Sequence, residues 1–216
     1  MRNKYTIMPE VLSRLIAEAL NRIEKPVFEN DQELHKKLSQ NWVKNFANSL
    51  EEYYNNKLSF DVISFFNQRD ISDSNKPKVK EFIYDITVAE YDSFSSSKNN
   101  KSIPFITKPI WQIESEFSTN MRETTKDFQK LISSNAPFKM MIIPVGKNDS
   151  RFYRTDMANL ANYIDDELWM VSIPHPSKEW LNGSIKHQLF KWYNNDWKKD
   201  KKWNYINLSP CYSNCN

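Results

Sequence analysis

A strand, a helix and a second strand follow one another in the centre of the chain, and this order limits the fold more than any other feature. Residues 110–117 alternate apolar with polar side chains, and the run is rich in β-branched and aromatic residues, as strands are. A helix opens at Asn120, with Glu123 three residues later as a capping box, and Pro137 closes it. The apolar run 139–145 is the second strand. Two strands joined through a helix form a right-handed parallel crossover, so the sequence predicts an α/β fold.

Periodic segments extend this core on both sides. Apolar residues at helical spacing predict two N-terminal helices, and further runs predict strands and one more helix. These segments are residues 9–22, 31–53, 81–91, 152–164 and 168–173. Residues 60–66 are apolar without a clear period, and polar loops are expected over 70–78 and 93–102. The order β-β-α-β-α-β predicts a mixed central β-sheet flanked by helices.

The composition removes several classes of function. Gly146 and Gly183 are the only glycines, so neither a phosphate-binding P-loop nor a dinucleotide fingerprint can be built. His35, His175 and His187 are far apart in sequence and have no zinc-ligand spacing. The formal net charge of +3 is too small to indicate a polyanionic partner by itself.

The chain carries no segment that predicts a membrane or secretory setting. Its first residues mix charged with apolar side chains, unlike a signal peptide, and no apolar run reaches membrane-spanning length. Cys211 and Cys215 lie too close together to staple a fold. We therefore expect a protein of the reducing cytoplasm without membrane contact.

Acidic residues lie inside both central strands. Asp85 interrupts the apolar run 82–89, where an ionised carboxylate is costly without a cation or hydrogen-bond partner. In the next strand Gln112, Glu114 and Glu116 share one face, because side chains alternate along a strand. Two acids on one face and a third nearby predict a site for a divalent metal ion.

The expected metal is Mg²⁺, with Mn²⁺ as a substitute. Mg²⁺ prefers oxygen ligands and retains several waters, so a protein offers a few carboxylates and the substrate phosphate completes the shell. Asp85, Glu114 and the carbonyl of Ser115 are the predicted ligands. Hydrolysis of a phosphodiester needs an in-line water, charge neutralisation and help for the leaving oxygen, and Mg²⁺ can supply all three.

This arrangement resembles the PD-(D/E)xK, or restriction-endonuclease-like, nuclease superfamily, whose core has an acid on one strand and a (D/E)-x-K pair on the next. Asp85 in Ile-Tyr-Asp-Ile matches the first acid and Glu114 the second, while Glu116 stands where the lysine usually does. The order of elements matches from about residue 81 to 145. The resemblance implies that Asp85 and Glu114 bind one or two Mg²⁺ ions, and that Glu116 acts as general base or orients the attacking water.

The missing lysine has a candidate replacement in the following helix. Lys130 is this candidate, by analogy with superfamily members in which the basic residue has migrated. A helical wheel directs it about 160° away from the apolar stripe, hence outward, where its ordinary role is a pair with Asp127. The fold also commonly adds an acid from the N-terminal helix. Glu51 is a better candidate than Glu52, although both are expected to be solvated.

From this resemblance we expect the chain to form one nuclease-like domain over residues 1–216. Its parts are an N-terminal helical part (8–56), a catalytic core (about 80–175) and a basic aromatic C-terminal part (184–216). In that last part lysines alternate with aromatic residues. They could contact phosphates and bases, or the aromatics could cover the core while the lysines stay solvated.

The resulting prediction is a Mg²⁺-dependent DNA endonuclease of the restriction or phage-defence type. A homodimer would suit a palindromic site. The alternative is a nuclease-fold protein without activity that serves as a nucleic-acid-binding or interaction module, and the missing lysine supports it. Glycoside hydrolysis ranks third, because neighbouring Glu114 and Glu116 leave little room for a sugar ring.

Overall fold

The computed structural model describes residues 4–24, 26–59, 61–66, 83–95, 102–118, 120–145, 150–177, 180–181 and 185–199. Within these ranges the chain forms helices and strands in the order α-α-β-β-β-α-β-α-β-β-β. The helices are α1 (Pro9–Asn21), α2 (Asp31–Lys57), α3 (Met121–Ile132) and α4 (Ser150–Ala161). The strands are β1 (Val62–Phe66), β2 (Ile86–Ser95), β3 (Ser102–Ser115), β4 (Phe138–Val145), β5 (Glu167–Pro174), β6 (Gln188–Tyr193) and β7 (Asp196–Lys199).

These strands form one sheet in sequential order, from β1 at one edge to β7 at the other. β1, β2 and β3 pair antiparallel, β3, β4 and β5 pair parallel, and β5, β6 and β7 pair antiparallel again. The helices α3 and α4 connect the parallel strands, because a parallel pair cannot be joined by a tight turn. The mixed α/β sheet predicted from the sequence is therefore confirmed.

Helices cover both faces of the sheet. Ile86 and Val88 of β2 pack in a large apolar cluster with α1 and α2, and the centre of that cluster contains Trp42 and Trp111. Side chains on the other face of the sheet, such as Met141 of β4, pack in a second cluster with α3 and α4. Because each central strand is covered on two sides, its burial is nearly continuous.

Asparagine side chains cap the N-termini of two helices. The side chain of Asn30 caps α2 by accepting a hydrogen bond from the Glu33 N–H. Asn120 likewise caps α3 by accepting from the Arg122 N–H at 3.0 Å. The reciprocal half of the predicted capping box is absent from these contacts, since the carboxylate of Glu123 instead pairs with Lys126 at 2.8 Å.

The β2–β3 region differs from the prediction. β2 begins at Ile86 rather than at residue 81, and residues 93–95, expected in a loop, continue the strand by pairing with 102–104. Polar side chains do not prevent this pairing, because the backbone alone forms the ladder. The uncertain segment 60–66 contains β1, which is buried on both faces and so shows no alternation. The predicted loop 70–78 lies outside the described residues.

At the other edge, β6 and β7 form a hairpin. Its turn residues Asn194 and Asn195 have positive φ angles of 50° and 55°, which asparagine tolerates better than most residues. Phe190 and Trp197 are buried, and Lys191 pairs with a glutamate of β5. In the described part of the C-terminal segment Phe190 and Trp197 thus cover the core, whereas Tyr193 is exposed. Residues 200–216, with both cysteines, lie outside the described residues. No described helix has the length and apolar character to span a membrane.

Candidate active site

The buried carboxylate of Glu114 and the half-buried carboxylate of Asp85 lie where β3 ends and β2 begins. Ile86 pairs with Ile113 in the antiparallel ladder, so the preceding residue Asp85 lies beside the following residue Glu114. Burial raises the pKa of Glu114, and the charge of Asp85 raises it further. The structure therefore brings together the two acids that the sequence analysis singled out.

Asp85 is held by Ser115. Its Oδ2 accepts hydrogen bonds from the Ser115 backbone N–H at 2.8 Å and from the Ser115 hydroxyl at 2.7 Å. Burial raises the pKa of Asp85, and these two bonds only partly offset that effect. Both bonds use one oxygen, so Oδ1 of Asp85 can face a ligand. Ser115 orients the carboxylate through its N–H and hydroxyl, a role additional to the predicted carbonyl ligand.

Backbone strain lies next to Asp85. Ile83 has φ of 62°, although a β-branched side chain disfavours positive φ, and it is 67% exposed. This conformation costs on the order of 1–3 kcal/mol and directly precedes Tyr84 and Asp85 in the chain. Tyr84 is buried, and its hydroxyl donates to the Lys130 carbonyl at 3.1 Å. The strained residue thus adjoins two residues that contact the site.

Glu114 is fully buried on the face of the sheet that α3 covers. Its Oε2 accepts from the Lys130 ammonium at 3.2 Å, whereas Oε1 is buried without a hydrogen-bond partner among the described residues. Burial, together with the charge of Asp85, raises the pKa of Glu114 to about 9. A carboxyl group with this pKa is mostly protonated at neutral pH, and a cation bound at its unsatisfied oxygen would favour the ionised form.

Lys130 points toward this cluster, and the outward orientation derived from the helical wheel is wrong. Its Nζ lies 3.2 Å from Glu114 Oε2 and 2.8 Å from Asp127 Oδ1. The wheel gives the direction of Cβ, and the long flexible stem lets the ammonium turn back toward the sheet. Burial alone would lower the pKa of Lys130, but its bonds to Asp127 and Glu114 outweigh burial and raise it. Lys130 is therefore a fixed positive charge in the site.

Glu116 does not join Glu114 on one face as predicted. β3 ends at Ser115, and Glu116 just beyond it lines a cavity beside α2, whereas the carboxylate of Glu114 contacts Lys130 of α3. Glu116 Oε1 accepts from the Ser118 N–H at 2.6 Å. The alternation rule fails here because it holds only while the backbone stays extended.

The acid proposed from the N-terminal helix has a structural role. Glu51 is buried rather than solvated, and its Oε2 accepts from the N–H and the hydroxyl of Ser64 at 2.7 and 2.8 Å. Glu52 is exposed as expected and pairs with Arg22. The contacts of Glu51 tie α2 to β1.

Polar neighbours to which the sequence analysis assigned no role, Gln112 and Tyr84, complete the α3 side of the site. Gln112 is buried, and its amide oxygen accepts from the Ser134 hydroxyl. The pKa of Tyr84 is raised by burial and by the charge of Glu114. Only the position of Gln112 on the face of Glu114 carried a signal in the sequence.

A cavity of about 300 Å³ adjoins Asp85 on the α2 side, and we call it the α2 cavity. It lies between α2 and the ends of β1, β2 and β3. Its lining residues are Ser39, Gln40, Val43, Phe66, Asp85, Ser115, Glu116 and Phe117. The site therefore has a buried ionic part under α3 and a more open part beside α2.

The donor chemistry of the site fits a hard cation. Asp85 and Glu114 supply carboxylate oxygens, and the unsatisfied Glu114 Oε1 is where a cation would relieve the cost of burial. In the part of the chain that the structure describes, His, Cys, Asp and Glu form no group of three or more able to hold a metal. A cation here would thus rely on two carboxylates, a main-chain oxygen and waters.

Comparison of the chain with protein-family models, with curated proteins and with solved structures gave no significant match.

Proposed function

We propose that this protein is a Mg²⁺-dependent nuclease with a restriction-endonuclease-like core, acting on DNA. The observation that carries the proposal is the contact of Lys130 with Glu114, 3.2 Å apart, beside the second carboxylate Asp85. Two acids and a lysine converging at strand ends are the groups that phosphodiester hydrolysis needs. Here the lysine comes from a helix rather than from the strand.

The order of elements supports the same proposal. An acid precedes β2, the second acid lies near the end of β3, and α3 and the parallel strand β4 follow. This is the order that the resemblance to the PD-(D/E)xK superfamily requires. The fold alone would carry little weight, since function depends on the site.

Each residue of the proposed site would have its own role in the reaction. Asp85, Glu114 and the Ser115 carbonyl would hold Mg²⁺, which when bound supplies charge neutralisation and an activated water. Lys130, fixed by Asp127, would place a positive charge beside the scissile phosphate. Ser115 would keep Asp85 oriented. The carboxylate of Glu116, close to Asp85 in the α2 cavity, would accept a proton from the attacking water or orient it.

The proposal also includes a substrate, a cation, a biological setting and an oligomeric state. DNA is the expected substrate, Mn²⁺ the expected substitute cation, and a restriction or phage-defence role the expected setting. A homodimer would suit cleavage of both strands of a palindromic site.

The test is cleavage of supercoiled plasmid with Mg²⁺ and with a chelator. Asp85→Asn and Glu114→Gln should reduce the cleavage rate at least about 100-fold, because each removes a charged ligand of the cation. Asp92→Asn, which alters an exposed acid on β2, is the matched control and should cleave like the wild type. Cleavage that persists in the chelator, or in both site variants, would refute the proposal.

The alternative function is a nuclease-fold protein that binds nucleic acid without cleaving it. The feature in its favour is the ion pair that already occupies Glu114 Oε2. Under this alternative the wild type retards DNA on a gel, cleaves nothing with Mg²⁺ or Mn²⁺, and binds equally well after Glu114→Gln.

A further inference from the structure

The α2 cavity has the chemistry of a pocket for a neutral, hydrogen-bonding ring. Its volume of about 300 Å³ lies at the small end of ligand pockets, which span about 300–1,000 Å³. Among the residues that the structure describes, the lining of the cavity includes no lysine or arginine, whereas two of them, Asp85 and Glu116, are acids. A phosphate group would be repelled here, and a group that donates N–H bonds would be attracted.

Aromatic contacts hold one member of the apolar wall of the cavity, Phe117, in place. Phe66, Val43 and Phe117 contribute this wall. Phe117 makes edge contacts with Trp42 and Trp180, with ring centroids 6.3 and 5.8 Å apart. Phe117 is held by these contacts and remains partly exposed, so its ring offers a flat apolar surface that suits a planar ring.

Polar groups line the rest of the cavity. Ser39 and Gln40 of α2 face the space together with Asp85 and Glu116. Carboxylate oxygens accept hydrogen bonds from amino groups, such as the exocyclic amine of cytosine. The combination of an apolar wall and acceptors distinguishes this cavity from a site for a phosphate or a sugar alone.

We propose that the α2 cavity receives the nucleobase next to the scissile phosphate, turned out of the base stack. This inference rests on the proposed nuclease function. Asp85 belongs both to the cation site and to the cavity, so a phosphate held at the first places an adjoining base within reach of the second. The base must leave its partner to enter, and the enzyme therefore prefers DNA that is unpaired at the cleavage site.

The size of this preference follows from the cost of unpairing. Extruding a paired base costs a few kcal/mol, and the cost is smallest for a mismatched or single-stranded base. Since about 1.4 kcal/mol corresponds to a factor of ten, cleavage beside a mismatch should exceed cleavage at the paired position by at least about 10-fold.

The experiment compares single-turnover cleavage of two oligonucleotide duplexes that differ only by one mismatch at a central position. Ser39→Trp fills the cavity, and Ser39→Leu fills part of it as a milder change. Lys36→Trp, on an exposed position of the same helix, is the matched control. Each variant is first checked for thermal unfolding.

The expected result is faster cleavage beside the mismatch by the wild type and by Lys36→Trp. Both Ser39 variants should lose at least about 10-fold in cleavage of the mismatched duplex. If the protein cleaves both duplexes equally in Mg²⁺, and Ser39→Trp changes neither rate, the cavity proposal is wrong and the nuclease proposal stands. If no DNA is cleaved under any condition, both are wrong.

Discussion

Lys130 demonstrates that a residue on the polar side of a helix can still complete a buried site. Its ammonium is shared between buried Glu114 and half-buried Asp127, at 3.2 and 2.8 Å. Removing one partner of a buried charge costs more than removing an exposed pair, because the remaining charge loses its compensation. Lys130 therefore matters both to the electrostatics of the site and to its proposed chemistry.

We predict that Lys130→Met slows Mg²⁺-dependent DNA cleavage at least about 100-fold, because it removes the positive charge nearest the phosphate. Lys126→Met is the control. Lys126 lies one turn earlier on α3 and pairs with exposed Glu123 at 2.8 Å, so its loss should leave the rate unchanged. Single-turnover rates at saturating Mg²⁺ measure both effects, and equal rates for the two variants would exclude the proposed role of Lys130.

At the scale of elements, side-chain bonds between a helix and a strand fix the scaffold that holds the site. Glu51 joins α2 to β1 through two bonds to Ser64, and both residues are buried. Because α2 also lines the cavity beside Asp85, this connection fixes one wall of the site.

Glu51→Ala is expected to lower the free energy of unfolding by about 2–3 kcal/mol, since it leaves two buried donors of Ser64 without their carboxylate acceptor. Glu52→Ala removes only an exposed pair with Arg22 and should change stability by less than about 0.5 kcal/mol. Urea unfolding of both variants tests this. A similar loss for both would mean that the bonds to Ser64 do not stabilise the fold.

α1 is tied to the C-terminal edge of the sheet by a buried histidine. The His187 Nε2 and the Ser13 hydroxyl lie 2.7 Å apart, and both residues are almost fully buried. Burial lowers the pKa of His187 from 6.5 to about 4, so the ring is neutral in the folded protein at neutral pH.

This shift predicts acid sensitivity. Between the unfolded pKa of 6.5 and the folded value of about 4, the unfolded chain binds the proton more readily, so stability falls as the pH is lowered through this window. His187 should contribute about 2 kcal/mol of lost stability between about pH 7 and about pH 5. Urea unfolding of the wild type and of His187→Gln measures it. Equal losses in the two proteins would contradict the prediction.

At the scale of the whole molecule, the site lies where the sheet changes from antiparallel to parallel pairing. β3 pairs antiparallel with β2 and parallel with β4. The start of β2 and the end of β3 therefore lie side by side at one end of these strands, with α3 on one face of the sheet and α2 on the other. Distant acids in the sequence come together because of this topology.

Much of this architecture could be predicted from the sequence because its signals are local. The strand–helix–strand order around Asn120 and Pro137 produced the parallel pair correctly. The extension of the β2–β3 hairpin beyond residue 92 could not be predicted in the same way, since residues 93–95 carry no clear strand pattern and their pairing comes from the backbone.

The site was harder to predict than the fold. Asp85 and Glu114 were identifiable as acids within apolar runs, and they do lie side by side. The direction of Lys130 and the separation of Glu116 from Glu114 depend on a flexible stem and on where β3 ends, and neither follows from periodicity. The α2 cavity joins residues of α2, β1 and β3 with residues that flank β2 and β3, and it exists only in the folded protein.

The central claim is that Asp85 and Glu114 together hold a divalent cation, and calorimetric titration with Mn²⁺ tests it most directly. The wild type and Asp92→Asn should bind Mn²⁺ with similar affinity, whereas Asp85→Asn and Glu114→Gln should each weaken binding at least about 10-fold. Thermal unfolding of all four proteins establishes that they are folded. Unchanged Mn²⁺ binding in both site variants, or no binding by the wild type, would contradict the claim.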